Sequence, residues 1–245
     1  MGKKVNVLNV PVDAVDMEET VERVTAFIRQ RGPHIIVTAN AEMVMQATRD
    51  DELHKILVGA DLVLADGIGV VWAARYQGSP LPERVAGADL VNRLLGTAAA
   101  QGYKIFFLGA APGVAEEAAQ RVCSLYKNIV LCGTQDGYFT PDTEPAVIAA
   151  IKEASPDILL AGLGVPRQEK WLWKHKDLLG VPVCIGVGGV FDVLAGVTRR
   201  APVWMQKSGL EWLYRLVKQP WRIGRMMALP RFVLRVLGGG QVKNC

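Results

Sequence analysis

Asp66 is the side chain whose place in the sequence best fits acid–base chemistry. It follows the apolar run at residues 62–65 directly and precedes Gly67 and Gly69. A carboxylate at the end of a buried strand can act as a general base when burial tunes its pKa. The same pattern fits a helix N-cap, in which the Asp side chain accepts a hydrogen bond from the first helical turn. The residue pattern leaves both roles open.

Three further polar side chains occur in comparable segments. Thr38 and Asn40 end another apolar run, and Asn40 can cap a helix that begins at Ala41. By residue type alone, Thr38 and Asn40 are more often structural than functional. Arg84 lies in the proline-marked segment 81–87, where it could bind a phosphate or pair with a neighbouring carboxylate at the surface.

The segment 162–168 has the composition of a phosphate-binding loop. It predicts a strand end, a glycine turn at Gly164 and a helix with Pro166 near its first position. The N–H groups and the dipole at such a helix start favour an anion. Gln168 falls in the first helical turn, and we expect it to point into the site.

The segment 186–192 repeats this arrangement. Gly188 and Gly189 form the expected turn, and Asp192 follows it in the sequence. Asp192 could accept hydrogen bonds from ribose hydroxyls or from a base. Glycines alone are weak evidence for a nucleotide site, so this assignment depends on the segments around it.

Apolar runs that alternate with segments of helical spacing predict the elements that position these residues. Met17, Val21, Val24 and Ile28 recur every three to four residues, as in an amphipathic helix. The predicted strands are residues 5–10, 34–38, 62–65, 104–108, 129–132, 157–161 and 182–187. Buried strands separated by helices predict an α/β fold, a largely parallel, Rossmann-like sheet with helices on both faces.

Ligands of such sheets bind at the carboxyl ends of the strands. Five loops rich in glycine and small polar residues follow predicted strands, at residues 38–42, 65–69, 109–113, 162–168 and 186–192. Because parallel strands end at the same edge, we expect these loops to converge on one large site.

Positive charge is concentrated at the C-terminal end of the chain. Residues 196–245 contain ten Lys or Arg residues and one acidic residue, Glu211, a local net charge of +9. The whole chain carries only +4, so residues 1–195 carry −5. Basic, apolar and aromatic residues combined in short helices are typical of a segment that attaches to an anionic membrane surface.

Prolines divide this C-terminal segment. Pro202, Pro220 and Pro230 predict three short helices, since proline ends a helix or begins a new one. The candidates for contact with lipid phosphates are Arg215, Arg222 and Arg225. In the alternative interpretation, the segment is a helical hairpin packed on the body with solvated arginines whose stems cover apolar surface.

We therefore predict two parts, a catalytic α/β domain at residues 1–195 and a basic, amphipathic helical appendage at residues 196–245. No uncharged apolar run reaches the roughly 20 residues that span a bilayer, and the start of the chain lacks the apolar core of a signal peptide. We expect a cytoplasmic protein attached peripherally to the inner face of the cell membrane. Its exposed apolar appendage also suggests self-association into a homo-oligomer.

Several classes of protein lack support in the sequence. The four cysteines and three histidines are scattered without metal-ligand spacing, so no metal site is predicted. Neither G-x-G-x-x-G after a strand nor a P-loop motif occurs, and a D-x-D motif for a nucleotide-bound metal is absent. We predict no cofactor, and helix ends with arginines would have to stabilise a departing diphosphate.

Together the loops resemble the WecG/TagA/CpsF family of bacterial glycosyltransferases, and the C-terminal segment resembles the TagA branch most. The resemblance covers nearly the whole chain and depends on residues 38–42, 65–69, 82–87, 164–171, 186–192, 200–202 and 209–216. It implies transfer of N-acetylmannosamine from its UDP donor to the 4-hydroxyl of GlcNAc on diphospho-undecaprenol. The β-linked product would begin the linkage unit of wall teichoic acid.

The resemblance also implies roles for individual residues. Asp66 would deprotonate the acceptor hydroxyl for an inverting, metal-independent attack. Thr38 and Asn40 would shape the pocket, and Arg84 and Gln168 would bind the donor or stabilise the departing diphosphate. The remaining expected contacts are Gly164, Pro166, Gly188, Gly189 and Asp192 for the donor, and Arg215, Arg222 and Arg225 for lipid phosphates or for closing over the site.

Three alternatives remain open. A relative within the family could transfer N-acetylmannosaminuronic acid from UDP, although no additional cation for its carboxylate is evident. A nucleotide-binding enzyme of another class, such as an oxidoreductase, could share the sheet. A nucleic-acid-binding module could use the basic, aromatic segment, but the acidic body and the short helices argue against it, and no nucleic-acid partner is predicted.

Overall fold

The computed structural model describes residues 2–239, apart from the side chains of Arg222 and Arg225. The strands are β1 (Lys4–Val7), β2 (Val10–Asp13), β3 (His34–Ala39), β4 (Leu62–Ala65), β5 (Lys104–Gly109), β6 (Val130–Gln135), β7 (Ile158–Gly162) and β8 (Val183–Gly186). The helices of the body are α1 (Met17–Gln30), α2 (Ala41–Ala47), α3 (Asp51–Gly59), α4 (Ile68–Tyr76), α5 (Gly87–Gln101), α6 (Val114–Leu125), α7 (Glu144–Ala154), α8 (Arg167–Leu179) and α9 (Val190–Leu194). The C-terminal helices are α10 (Val203–Lys207), α11 (Glu211–Lys218), α12 (Ile223–Met226) and α13 (Ala228–Leu237), with a 3₁₀ turn at Pro220–Arg222.

Strands β3 to β8 form one sheet in the order β4-β3-β8-β7-β5-β6, and every neighbouring pair is parallel. Parallel neighbours need long crossover connections, which the helices supply. The carboxyl ends of the strands therefore meet at one edge of the sheet. The predicted α/β fold with a parallel sheet is confirmed.

Helices cover both faces of this sheet because its strands are apolar on both sides. Along β3, Ile35 and Val37 pack into one core with α2, α3, α4, α7 and α8, while Ile36 points to the other. The second core is formed with α1, α5, α6 and α9. Side chains of the inner strands thus alternate between two buried layers, which fixes the register of these strands.

The first predicted strand, residues 5–10, is wrong in its extent. The structure has a hairpin there, in which β1 and β2 pair antiparallel outside the main sheet. Leu8 and Asn9 connect them with φ values of 51° and 69°. Positive φ at both turn residues is typical of a type I′ hairpin turn, and Asn tolerates this conformation while Leu seldom does.

The C-terminal segment has more helices than the prolines predict. Pro202 precedes α10 and Pro220 begins the 3₁₀ turn, as expected. Pro230, in contrast, is the third residue of α13, because proline is tolerated in the first turn of a helix. Gly209, with φ of +73°, separates α10 from α11.

The last helix shares the core of the body. Phe232 and Val236 of α13 are 0% and 3% exposed, and α13 contacts α2 and α4. The preceding part of the segment has large apolar side chains at the surface, with Trp204 64% and Trp221 76% exposed. No helix in the described part of the chain is long and apolar enough to cross a membrane.

Candidate active site

A cavity of about 230 Å³ lies at the carboxyl edge of the sheet. Its lining comes from the loops after β3, β4, β7 and β8, from Arg84 in the loop before α5, and from the C-terminal segment. Its charged and hydrogen-bonding side chains include Asn40, Asp66, Arg84, Glu211 and Arg215. Four of the five predicted loops therefore line this cavity. As far as the chain is described, the loop at residues 109–113 does not line it.

Asp66 lies in this cavity. Gly67 is the N-cap of α4 and α4 has no side-chain capping bond, so the alternative in which Asp66 caps the following helix is wrong. Instead, Oδ1 of Asp66 accepts a hydrogen bond from the backbone N–H of Gly87, the first residue of α5, at 3.0 Å. The carboxylate is thus held at the positive end of α5.

Opposing effects act on the pKa of Asp66. Burial raises the pKa of Asp66 above its ordinary value, because the ionised form loses hydration. The hydrogen bond from Gly87 and the charges of Arg215 and Arg84 lower this pKa, and the charge of Glu211 raises it. Burial is the largest effect, so Asp66 binds a proton more readily than an exposed aspartate.

Thr38 and Asn40 have structural contacts, and only Asn40 lines the described cavity. Oδ1 of Asn40 accepts a hydrogen bond from Met43 N at 3.0 Å and caps α2, as the sequence predicts. Thr38 is 7% exposed, and its hydroxyl donates to the carbonyl of Gly186 at 3.1 Å. Thr38 also packs against Gly87, where an added Cβ would lie 3.3 Å from its Oγ1.

Gln168 lies beneath the cavity. It is 2% exposed, and its Oε1 accepts hydrogen bonds from the N–H groups of Gly164 and Gly188, both at 3.1 Å. Its Nε2 donates to Glu169 at 2.7 Å. Contrary to expectation, Gln168 does not point into the site, because these contacts use its amide to join the two glycine loops. The two loop N–H groups are bonded to this amide and do not face the cavity unpaired.

Glu169 was not predicted as a site residue. It is 1% exposed, and burial raises the pKa of Glu169 to about 7. Its Oε1 accepts the hydrogen bond from Gln168, while Oε2 is buried without a hydrogen-bond partner among the described residues. A partly protonated carboxyl thus supports the glycine loops, and a Glu beside Gln in a motif gives no sequence signal of such burial.

The other residues predicted to bind the donor lie in two different cavities and at the start of α8. Gly164, Gly188 and Gly189 line the first cavity. Pro166 is the N-cap of α8, which agrees with its predicted place at the helix start, and it does not line either of the two cavities as far as the chain is described. Asp192 lines the second cavity.

This second cavity, of about 410 Å³, shares Gly189 and Arg215 with the first. Four basic side chains and two aromatic ones contribute to it: Arg199, Arg200, Arg215, Lys218, Tyr214 and Trp221. Ligand pockets commonly enclose about 300–1,000 Å³, so the first cavity alone is small. Because the linings meet, an extended anionic ligand could occupy both.

Of the three arginines predicted to contact lipid phosphates, the structure describes the side chain of Arg215. Arg215 lines both cavities and is half-exposed. The side chains of Arg222 and Arg225 lie outside the described part of the chain, so their predicted contacts stay predictions. Arg84, which could have paired near Glu83, instead approaches Glu211, with 3.7 Å between Nη1 and Oε2.

Among the described residues, no group of three or more His, Cys, Asp or Glu side chains could hold a metal ion. The basic side chains that line the first cavity, as far as the chain is described, are the guanidinium groups of Arg84 and Arg215. Arrangements of this kind, with one carboxylate of raised pKa beside arginines, suit proton abstraction from a hydroxyl together with stabilisation of an anionic leaving group.

Comparisons with known proteins agree with this chemistry. The model of the glycosyl transferase WecG/TagA/CpsF family matches residues 5–243. A protein of Bacillus subtilis (strain 168), named N-acetylglucosaminyldiphosphoundecaprenol N-acetyl-beta-D-mannosaminyltransferase, is 38% identical over 211 residues, which are 86% of this chain and 82% of that protein. A protein of the same name from Staphylococcus aureus (strain MW2) is 34% identical over 235 residues, 95% of this chain and 92% of that protein.

Proposed function

The chain belongs to the WecG/TagA/CpsF family of glycosyltransferases, and from this premise we propose that it transfers N-acetylmannosamine from UDP-ManNAc to GlcNAc-diphospho-undecaprenol. The acceptor atom would be the 4-hydroxyl oxygen of GlcNAc, and the product would begin the linkage unit of wall teichoic acid. One observation carries the proposal: Asp66, Arg84 and Arg215 line the same cavity at the carboxyl edge of the sheet.

In the proposed reaction, Asp66 is the general base. Its carboxylate accepts the proton of the 4-hydroxyl as that oxygen forms a bond to C1 of N-acetylmannosamine. The bond between C1 and the β-phosphate oxygen breaks at the same time, and UDP leaves with its electron pair. Attack opposite to the leaving group inverts the configuration at C1.

The raised pKa of Asp66 favours this role, because a base is most effective when its pKa lies near the working pH. Arg84 and Arg215 would stabilise the charge that develops on the diphosphate. The proposed steps use no metal ion, because the guanidinium groups of Arg84 and Arg215 would supply the electrostatic stabilisation. Asp192, in the second cavity, would contact the nucleoside.

The proposal is tested by acceptor-dependent release of UDP from UDP-ManNAc in the presence of EDTA. The acceptor is a short-chain GlcNAc-diphospholipid, and the variants are Asp66→Asn and, as a matched control, Asp177→Asn, whose side chain is exposed on α8. We expect release by the parent and the control, and a loss of about 10²–10⁴-fold in kcat for Asp66→Asn.

Each outcome bears on a separate part of the proposal. No release by a folded parent would contradict UDP-ManNAc as the donor, and UDP-N-acetylmannosaminuronic acid would be the next to test. Activity lost in EDTA and restored by a divalent cation would contradict metal independence. Full activity of Asp66→Asn would remove Asp66 as the base.

The C-terminal segment would bring this site to its lipid-linked acceptor. We propose that the protein attaches peripherally to the cytoplasmic face of the membrane through exposed apolar side chains such as Trp204 and Trp221 and through the basic residues beside them. Each Lys or Arg near an anionic surface contributes about 1 kcal/mol. Substituting Ser for both tryptophans should reduce sedimentation with phosphatidylglycerol liposomes, and unchanged sedimentation would contradict this attachment.

A further inference from the structure

Glu211 is the single acidic residue of the basic segment 196–245, and it lines the first cavity. Its Oε1 accepts hydrogen bonds from Nε of Arg200 and Nη2 of Arg215, both at 3.2 Å. Its Oε2 lies 3.7 Å from Nη1 of Arg84, and its side chain is 12% exposed. One carboxylate therefore contacts three guanidinium groups, two of which line the cavity that contains Asp66.

Arg200 fixes this carboxylate to the body. Nη2 of Arg200 donates to Oδ2 of Asp89 at 2.8 Å, Nη1 donates to the other oxygen, and Nε donates to Glu211. The hydrogen bond from Arg200 holds the pKa of Asp89 below its ordinary value. Asp89 belongs to the first turn of α5, the turn whose Gly87 N–H binds Asp66. Asp66 and Glu211 are therefore both positioned from the start of α5.

The backbone before Glu211 is equally constrained. Gly209 is buried with φ of +73°, and a Cβ on it would lie 2.9 Å from Cγ1 of Ile68. Glycine is required here for both reasons. Its close approach to α4 places the first residue of α11, Glu211, at the mouth of the cavity.

The three arginines are held with different strength. Arg200 directs all three of its nitrogens to carboxylates, which suits a structural anchor. Arg84 has a single contact to Glu211 that is longer than a hydrogen bond. A phosphate could replace this weaker contact without disturbing Arg200. A carboxylate between Arg84 and Arg215 also reduces the repulsion of two cations that must approach the same anion.

We propose that Glu211 is a positioning residue of the transfer reaction: anchored by Arg200, it orients Arg84 and Arg215 for the diphosphate of the nucleotide-sugar donor. This inference rests on the function proposed above. Glu211 acts through the arginines and does not touch the reacting atoms.

The charge of Glu211 also gives the proposal a measurable signature at Asp66. The groups that act on Asp66 come from three elements: Arg84 from the loop before α5, Arg215 and Glu211 from α11, and the N–H of Gly87 from α5. Glu211 alone among these raises the pKa of Asp66. Removing its charge should lower this pKa, so the acidic limb of the kcat/KM profile should move to lower pH.

The test compares Glu211→Gln, which keeps the shape and removes the charge, with Glu211→Asp, which keeps the charge. Glu18→Gln is the surface control, because Glu18 pairs with Arg93 and is 70% exposed. For Glu211→Gln we expect kcat to fall roughly tenfold, since small misplacements of catalytic groups are costly. The KM for UDP-ManNAc should change less than threefold, because both arginines keep their charge. Glu211→Asp should restore the pH profile and part of kcat.

Two measurements need no turnover. Carboxyl ¹³C NMR follows the titration of Asp66, assigned by its loss in Asp66→Asn, and calorimetry follows UDP binding. We expect the Asp66 titration to move to lower pH in Glu211→Gln and to stay unchanged in Glu18→Gln, with UDP affinity within threefold of the parent.

An unmoved titration and an unchanged kcat in Glu211→Gln would overturn the proposal. Equal losses of activity in Glu211→Gln and Glu211→Asp, with a lowered thermal midpoint, would also overturn it and assign Glu211 a purely structural contact. A parent that releases no UDP would contradict the proposed function instead, and the titration and the UDP affinity would still test Glu211.

Discussion

The sheet edge and the C-terminal segment line the same cavity, but different interactions hold them in place. At the sheet edge, Asn40, Asp66 and Gln168 are bonded to backbone N–H groups of neighbouring elements. Such bonds are part of the folded core and are insensitive to salt. In the C-terminal segment, Glu211 and Arg215 are held by ion pairs, and such pairs weaken as salt screens them.

The difference extends to apolar side chains. The core around the sheet excludes water, whereas none of the residues of α10 or α11, all within the described part of the chain, is buried. Helix α13 returns to the core, through Phe232 and Val236. The site therefore has one half formed by the buried body and one half on a surface segment, which is held by ion pairs, by the close packing of Gly209 on α4 and by α13 at its far end.

The largest expected effect is the loss of stability when a buried side chain of α13 is truncated. Phe232→Ala should lower the free energy of unfolding by about 3–5 kcal/mol, because it removes a fully buried ring between α13 and the body. Urea denaturation measures this change. Trp221→Ala, at an exposed site, is the matched control and should stay within about 0.5 kcal/mol. Similar small effects for both would mean that α13 is no part of the core.

The next largest effect is the pH dependence of the free energy of unfolding that Glu169, buried at the sheet edge, should produce. Folding raises the pKa of Glu169 from 4.5 to about 7, so the folded protein retains a proton that the unfolded chain releases. The parent should therefore lose stability from this group as pH rises from about 4.5 through about 7, by roughly 3 kcal/mol.

Glu169→Gln removes this titration. Because the parent loses stability over this range and the variant does not, the free energy of unfolding of Glu169→Gln should increase relative to that of the parent as pH rises. Denaturation series at pH 5 and pH 8 measure the difference, with Glu18→Gln as the exposed control. A pH-independent difference between Glu169→Gln and the parent would contradict the buried carboxyl.

The smallest effect is expected at the ion pairs. Asp89→Asn weakens the anchor of Arg200, but Asp89 is 44% exposed, so the loss should be about 0.5–1 kcal/mol and should shrink in 1 M NaCl. Asn40→Ala removes a helix cap and should cost about 1 kcal/mol at either salt concentration. Equal salt dependence of the two variants would contradict the conclusion that ion pairs hold the C-terminal half of the site while hydrogen bonds to the backbone hold the sheet edge.

The sequence predicted the sheet well because the determinants of its strands are local. The run at residues 62–65 is β4 as observed, and β3 and β7 lie within a residue of their predicted bounds, since buried β-branched runs are bounded by polar or glycine residues. The hairpin of β1 and β2 was missed because its turn uses Leu8, a residue that gives no turn signal.

Side-chain partners were less predictable for a physical reason. Asp66 was placed at the right edge, but its partner Gly87 is 21 residues away, and Arg200 finds Asp89 across 111 residues. Such pairs depend on tertiary packing, which residue types and spacing do not encode. A lone acidic residue in a basic segment, Glu211, was the one signal in the sequence that could have indicated the arginine cluster.

The return of α13 to the core gives the C-terminal segment the geometry of a loop closed at both ends, with Arg200 near one end and Phe232 at the other. Under the membrane attachment proposed above, a bilayer that binds Trp204 and Trp221 would lie at a limited distance from Asp66. The C-terminal segment would thus set the distance between the membrane surface and the reacting hydroxyl. An acceptor with a different number of phosphates between its sugar and its lipid would then place the reacting hydroxyl away from Asp66, so this spacing would contribute to substrate selection.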